Sequence, residues 1–311
     1  MKLKKVVIVL IILLLVLIIY FCIEKNKTIN VPLKKFTPFS SNSLLIETNS
    51  SFIISENLPT IEGASAFYPF AANLVQTIYN EKEYEEGLVK MVSTSETFND
   101  LISGKTDIAI VTYPSEEQKN MIDNSNVELE YIPLFKEPLA ILVNKSNPIS
   151  NLSIEQIQDI YYEDNLNWNI YSSFKGSINT YQLEKNNGSQ TCFESIVKNN
   201  KIEYNHYEIE LMPKIIDKVG KDRNGIAYAF YSYYTKMHSS KNSKIIKVND
   251  VDINSDNYPL LFDVYLIYRT NNKNDNIQKL VEWIKSEEGE NIINKIGGKK
   301  WWKKRLELLD F

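Results

Sequence analysis

Three short stretches of this chain place a small polar turn at the start of a helix, an arrangement that can bind an anion. They are Gly63–Ala64–Ser65, Tyr113–Pro114–Ser115 and Gly188–Ser189–Gln190–Thr191. A helix N-terminus leaves backbone N–H groups without intrahelical partners and carries roughly half a positive charge, so it holds an oxyanion without any basic side chain. The plainer reading of each turn by itself is a helix cap, for which Ser and Thr are usual choices. Other chemistries fare worse. Ser189 does not sit in a Gly-x-Ser-x-Gly turn, and no histidine lies in a motif that would serve it as a base. Glu116 and Glu117 read as helix-start charges rather than an acid–base pair. His206 and His238 are too few for a histidine-built metal site, and no Cys-x-x-Cys or His-x-x-x-His spacing occurs. Neither an enzyme nor a metal or cofactor is expected.

The elements that position these turns alternate short apolar runs with amphipathic stretches, as an α/β fold does. Phe70, Leu74, Val75 and Ile78 recur at helical spacing after the first turn. "SETFNDLISGKTDIAIV" gives a helix, a stop at Gly104 and a buried strand from Ile108 to Val111. Ser115 and Ser153 each cap a helix. Leu139 to Val143, Ile226 to Tyr231 and "YPLLFDVYLIYR" read as strands, and "NIQKLVEWIKSEEGENIINKIGG" reads as one long amphipathic helix.

The 311 residues allow one large domain or two smaller ones. Hydrophobic residues at 43% and charged residues at 24% suit a globular body with a real core. Net charge is −4, and without Lys2, Lys4 and Lys5 there remain 32 basic against 39 acidic residues. That balance argues against nucleic acid as a partner, since phosphate-backbone binding needs a basic footprint. Cys22 and Cys192 lie in unlike contexts, which argues against an intrachain disulfide.

"MKLKKVVIVLIILLLVLIIYFCIEKNK" has a basic start and an unbroken apolar run from Val6 to Ile23, about long enough to cross a bilayer. A cleaved signal peptide lacks small residues before its cut, and a lipoprotein would acylate Cys22 behind a bulky Phe21. An uncleaved signal anchor over residues 1–23 fits length and flanks best. All three readings export the body, with the preceding lysines on the cytoplasmic side. Residues 24–45 read as a polar tether. At the other end, Trp301 and Trp302 among lysines read as part of a last packed helix, or as a contact with anionic headgroups.

Six blocks occur in one order: "GASAFYPFAANL", "SGKTDIAIVTYPSEEQ", "PLFKEPLAILVNKSNPISNLSIEQIQDIYYEDNLNWN", "YQLEKNNGSQT", "VGKDRNGIAYAF" and "YPLLFDVYLIY…LVEWIKSEEG". Together, from about Pro59 to Gly298, they resemble the substrate-binding proteins of bacterial phosphate ABC transporters, the phosphate-type branch of the class II periplasmic binding proteins. The resemblance implies two α/β lobes joined by two hinge crossovers, with the ligand clamped between them. Lobe 1 is expected at 46–138 plus 232–311 and lobe 2 at 139–231. It further implies that phosphate or a related oxyanion meets Ser65, Ala66 and Phe67, then Thr94 and Ser95, Ser115, and Ser189, Gln190 and Thr191. The partner implied is an ABC permease, at the outer face of the cell membrane.

The departures from that family bear on function. Relatives with the longer loop carry an arginine where this chain has Leu183; those with the shorter loop carry it where this chain has Lys185. A lysine does not reproduce the arginine fork on an oxyanion. Shorter-loop relatives also place near Ser115 an aspartate that accepts the proton of hydrogen phosphate. Glu62–Gly63–Ala64 stands where longer-loop relatives have Asp-Gly-Ser, losing one hydroxyl. Each lost hydrogen bond to a charged ligand costs about 1.5–3 kcal/mol, so binding weakens by roughly two to four decades. The alternative function is a degenerate site on the same scaffold, serving as a sensor or protein-interaction module. A basic group reaching the loop, from Lys185, Arg223 or Arg269, favours the binder; its absence favours the alternative.

Overall fold

The computed structural model describes residues 33–163, 166–197 and 207–297, all within one compact unit, Pro32–Phe311. The expected anchor at 1–23 and the Trp301–Trp302 segment lie outside the described residues. Among the described residues no helix is long and apolar enough to cross a membrane.

Strands β1 (Ile61–Ala64), β2 (Val89–Val92), β3 (Ile108–Thr112), β4 (Leu129–Asn144), β6 (Asn179–Leu183), β7 (Tyr207–Ile209), β8 (Gly225–Phe230), β9 (Ser243–Ile245) and β11 (Leu261–Arg269) form one mixed sheet. Its order is β2-β1-β3-β11-β4-β8-β6-β7, with β9 also on β4. A short β5 (Asn151–Leu152) pairs separately with β10 (Lys247–Val248). Strand β4 makes two half-sheets of this path. Its residues Leu129–Pro138 pair antiparallel with β11, and Leu139–Val143 pair antiparallel with β8. The pairs β1/β2, β1/β3, β6/β7 and β6/β8 are parallel, which requires helical crossovers on the faces, while β3/β11 and β4/β9 are antiparallel.

Leu139 to Val143 are all fully buried, as a central strand covered on both faces must be. The chain crosses back beside this point: Leu139 N–H donates to Leu260 O (2.9 Å) and Tyr258 Oη donates to Leu139 O (2.9 Å). The segment beyond residue 231 does not return to the first half at once, contrary to the expected boundary. β9 pairs with Leu142–Asn144 and β10 with β5, so these strands extend the second half. Apolar residues such as Ile246, Val248 and Ile253 bury there, which holds the chain in the second half until Tyr258.

The helices are α1 (Tyr68–Ile78), α2 (Thr94–Ser103), α3 (Glu116–Asn124), α4 (Ile154–Tyr162), α5 (Gly188–Ile196), α6 (Met212–Lys221), α7 (Asp275–Ile284) and α8 (Glu287–Gly297). The single long helix expected near the end is thus two. Ser286 breaks it, donating to Trp283 O (2.7 Å) and accepting from Gly289 N–H (3.1 Å), so that it ends one helix and caps the next. The second half of the expected tether is also not free. Phe36 is buried, Phe39 stacks at 5.2 Å from Tyr84, and Ile46 exchanges hydrogen bonds of 2.7 and 2.9 Å with the Asn73 side chain of α1. Two phenylalanines in a polar stretch supply the apolar area that a tether does not need.

Candidate functional site

Helices α2 and α3 on the first half, and α5 on the second, point their N-termini at one place. Local chemistry fixes each terminus. Ser93 caps α2 by accepting from Glu96 N–H (3.1 Å), which leaves Thr94 and Ser95 in its first turn. Ser115 and Gln118 form a capping box on α3, with Ser115 N–H donating to Gln118 Oε1 (2.9 Å) and Gln118 N–H to Ser115 Oγ (3.2 Å). Asn187 caps α5, accepting from Ser189 N–H (3.1 Å) and Ser189 Oγ (2.9 Å).

The place where they meet is filled by the loop before α5. Asn186 takes a left-handed conformation (φ 65°), which asparagine tolerates better than most residues. Its side-chain Oδ1 accepts from Ser115 Oγ (2.6 Å) and its Nδ2 donates to Glu117 Oε2 (2.8 Å). Its backbone O accepts from Gln118 Nε2 (3.0 Å) and, at 3.5 Å, from Ser95 Oγ. Two residues on, Gly188 N–H donates to Thr94 Oγ1 (3.1 Å). A Cβ on Gly188 would stand 2.9 Å from Thr112 Oγ1 and 3.2 Å from Thr94 Oγ1, so only glycine lets the two halves approach this closely. Phe230, 3.7 Å from the same point, packs on Phe67 (5.1 Å between centroids), which also faces Phe135 (6.2 Å). The floor beneath the polar contacts is aromatic.

Of the residues expected to meet a ligand, Thr94, Ser95, Ser115 and Ser189 therefore converge, although the Ser189 hydroxyl is turned back to its own cap. Gln190 does not join them. Its carbonyl oxygen is taken by the Tyr228 hydroxyl and by Leu183 N–H (3.2 Å), and its amide by Glu194 (2.9 Å), all within the second half. Thr191 is half-buried with a hydroxyl that has no partner. In the first turn Phe67 N–H is spent on Ala64 O (2.6 Å), Ala66 is buried, and Ser65 is half-buried. Phe67 reaches the convergence only through its ring.

No described basic side chain enters. Leu183 is 1% exposed at the end of β6, and Lys185 is exposed outside every described ion pair. Arg223 lies over the Phe174 ring (4.7 Å). Arg269 donates to Leu101 O and to Thr106 O (2.7 Å), binding the C-terminal end of α2, the end away from Thr94. Lys119 on α3 is paired with Glu116 and lies over Tyr113 (5.1 Å). The first turns instead carry carboxylates, Glu96 on α2 and Glu116 and Glu117 on α3, which offset the helix dipoles.

One buried group nearby is perturbed. Glu62 on β1 is 3% exposed, and its Oε2 has no partner. Burial first, then the neighbouring Asp100 carboxylate, pushes its carboxyl up to about 7. Burial likewise holds the Cys192 thiol well above its usual range, which disfavours the reactive thiolate. Among the described residues no group of carboxylate, histidine and cysteine side chains is arranged to hold a metal ion.

Asn186, Gln118, Glu117 and Thr112 escaped the sequence reading. The signal for the first was the Asn186–Asn187–Gly188 run, whose composition favours left-handed turns.

A family model described as a PBP superfamily domain matches residues 55–288. The chain is 23% identical over 185 residues to Protein SphX of Synechococcus elongatus, covering 57% of this chain and 55% of that one, so it spans about half the length of that curated relative. A putative phosphate ABC transporter substrate-binding protein from Clostridium perfringens, solved with bound phosphate, superposes with TM-score 0.59 at 19% identity, covering 80% of this chain and 98% of the other. An ABC-type phosphate transport receptor from Vibrio cholerae gives 0.55 at 22%, covering 77% and 98%. A hydrogen-peroxide-bound OxyR variant from Corynebacterium glutamicum gives 0.54 at 12%, covering 80% and 66%. At these identities the likeness concerns the fold, which is shared by proteins of different tasks.

Proposed function

Because the chain belongs to the PBP superfamily, we propose that it is an extracytoplasmic solute-binding protein taking phosphate or a related oxyanion for an ABC importer. The observation that carries this reading is the meeting of three helix N-termini from both half-sheets at Thr94–Ser95, Ser115 and Gly188–Ser189. Such termini supply N–H groups and dipole, and the hydroxyls of Ser95 and Ser115 complete a donor set suited to an anion. Two of the structural neighbours are a putative phosphate ABC transporter substrate-binding protein and an ABC-type phosphate transport receptor. In this reading Lys185 supplies the positive charge, and Ser65 and Thr191 turn their hydroxyls to the ligand as the lobes adjust. Residues 1–23 anchor the body to the membrane, the permease docks on the two-lobed body, and no catalytic step is assigned.

A second reading, a domain whose site has lost its ligand and which acts as sensor or interaction module, is favoured by one observation: no described basic side chain reaches the convergence. Calorimetric titration of the full-length chain with phosphate at pH 7, with sulfate and a phosphonate as controls, separates the two. The binder predicts micromolar phosphate affinity. No heat and no thermal stabilisation at millimolar phosphate would leave the second reading.

A further inference from the structure

The groups that a ligand would meet are not waiting for one. The Ser115 hydroxyl, the Gln118 amide, the Thr94 hydroxyl and the Gly188 N–H are each engaged across the junction of the two halves, and Asn186 is the hub of three of the contacts. An asparagine side chain resembles one edge of an oxyanion in presenting a carbonyl oxygen to a hydroxyl donor. It differs in carrying an NH₂, and that NH₂ finds Glu117, an acceptor that would repel an anion. The charged groups in the first turns of α2 and α3 are Glu96, Glu116 and Glu117, all acidic; Glu117 meets Asn186, and Glu116 is paired to Lys119. The Asn186 amide thus takes hydroxyl donors that an oxyanion would use, and its NH₂ satisfies the one carboxylate beside them.

We infer that Asn186 is an internal ligand that latches the two lobes together in the absence of solute, and that any solute must displace it. The inference deepens the phosphate reading by setting how the site is regulated, and rests on that reading only for the identity of the competitor. A protein of this kind has an apparent affinity lowered by the fraction of molecules in which the latch is open.

Asn186→Gly is the discriminating variant, because glycine accepts φ 65° without strain and removes only the side chain. The full-length chain, with Cys22→Ser and spin labels at Glu81→Cys and Lys175→Cys, reports the distance between the lobes by double electron–electron resonance. Wild type without solute is expected to give one short, narrow distance and the variant a longer or broader distribution. Phosphate titration is expected to show about tenfold tighter binding in the variant. Glu117→Gln, which weakens one contact, is expected to shift both readings the same way by less. A variant as closed as wild type, or a wild type already as open as the variant, overturns the latch. A variant that opens and takes up no phosphate supports the latch and removes phosphate as the competitor.

Discussion

The two sides of the cleft were built by different rules. On the first half, the termini of α2 and α3 are set by residues within four positions of one another: Ser93 with Glu96, and Ser115 with Gln118. They would form wherever those segments became helical. On the second half, the loop from Leu183 to Thr191 takes its shape largely from distant partners: Tyr228 holds Leu183, while Thr94, Ser95 and Ser115 hold Asn186 to Gly188. The local side keeps an anion-site geometry whatever its ligand. The long-range side is where the resemblance led one to expect an arginine and where Leu183 and Lys185 stand instead. Cleft identity in this scaffold is decided by the loop and merely permitted by the helices.

The sharpest way to break that contrast is Gly188→Ala, since its Cβ meets two threonine oxygens at 2.9 and 3.2 Å. A stability loss of about 3 kcal/mol in urea unfolding is expected, whereas a loop that simply moves aside would show almost none.

Next comes Glu62, on the locally determined side. Its carboxyl titrates near 7 in the fold against the usual 4.5, so the native state binds more protons between those values and stability falls as pH rises through them. Glu62→Gln is expected to gain about 2 kcal/mol over wild type at pH 8 and little at pH 4.5, measured as the difference in unfolding free energy at the two pH values. An equal effect at both would mean that the carboxylate is solvated after all.

Ser115→Ala tests both sides at once, removing a cap and a contact to Asn186. A loss of about 1 kcal/mol is expected, most of it from the cap. Urea unfolding in the Asn186→Gly background checks the division, because the cap share should persist there.

The smallest effect belongs to Lys185→Ala, expected to change stability by less than about 0.5 kcal/mol because the side chain is exposed and outside the described ion pairs. Phosphate titration of the same variant shows whether the lysine serves a ligand rather than the fold.

Much of this molecule was legible in its residues. The caps at Ser115 and Ser153, the stop at Gly104 and the buried runs at Ile108 and Leu139 are local signals, and all appear where the text places them. The break at Ser286 was not read, because the apolar period continues through it and a single serine rarely ends a helix. Nor was the docking of Phe39 and Ile46, since their partners Gln76, Tyr84 and Asn73 lie far along the chain. The candidate site split the same way. Ser115 was found from a helix start, and Thr94 and Ser95 came only from the family resemblance, while Asn186 and Thr112 became visible only once the sheet brought them together, and Gln190 was lost to an inward partner no spacing rule reveals.

Strand β4 has a mechanical consequence. Sixteen residues run from one half-sheet into the other, with a register irregularity opposite Val264 and Tyr265, and the chain's return from Tyr258 to Leu260 holds both the N–H and the carbonyl of Leu139. A ribbon gripped about two-thirds of the way along behaves as a lever. The five rises from Leu139 to Asn144 span about 17 Å, so a bend of about 10° at the grip sweeps the far end through about 3 Å. Added to the 3.1 Å between Gly188 and Thr94, travel of that order takes the pair beyond hydrogen-bonding distance. A small angular give at Pro138–Leu139, with no strand unpaired, is thus enough to part the whole polar seam.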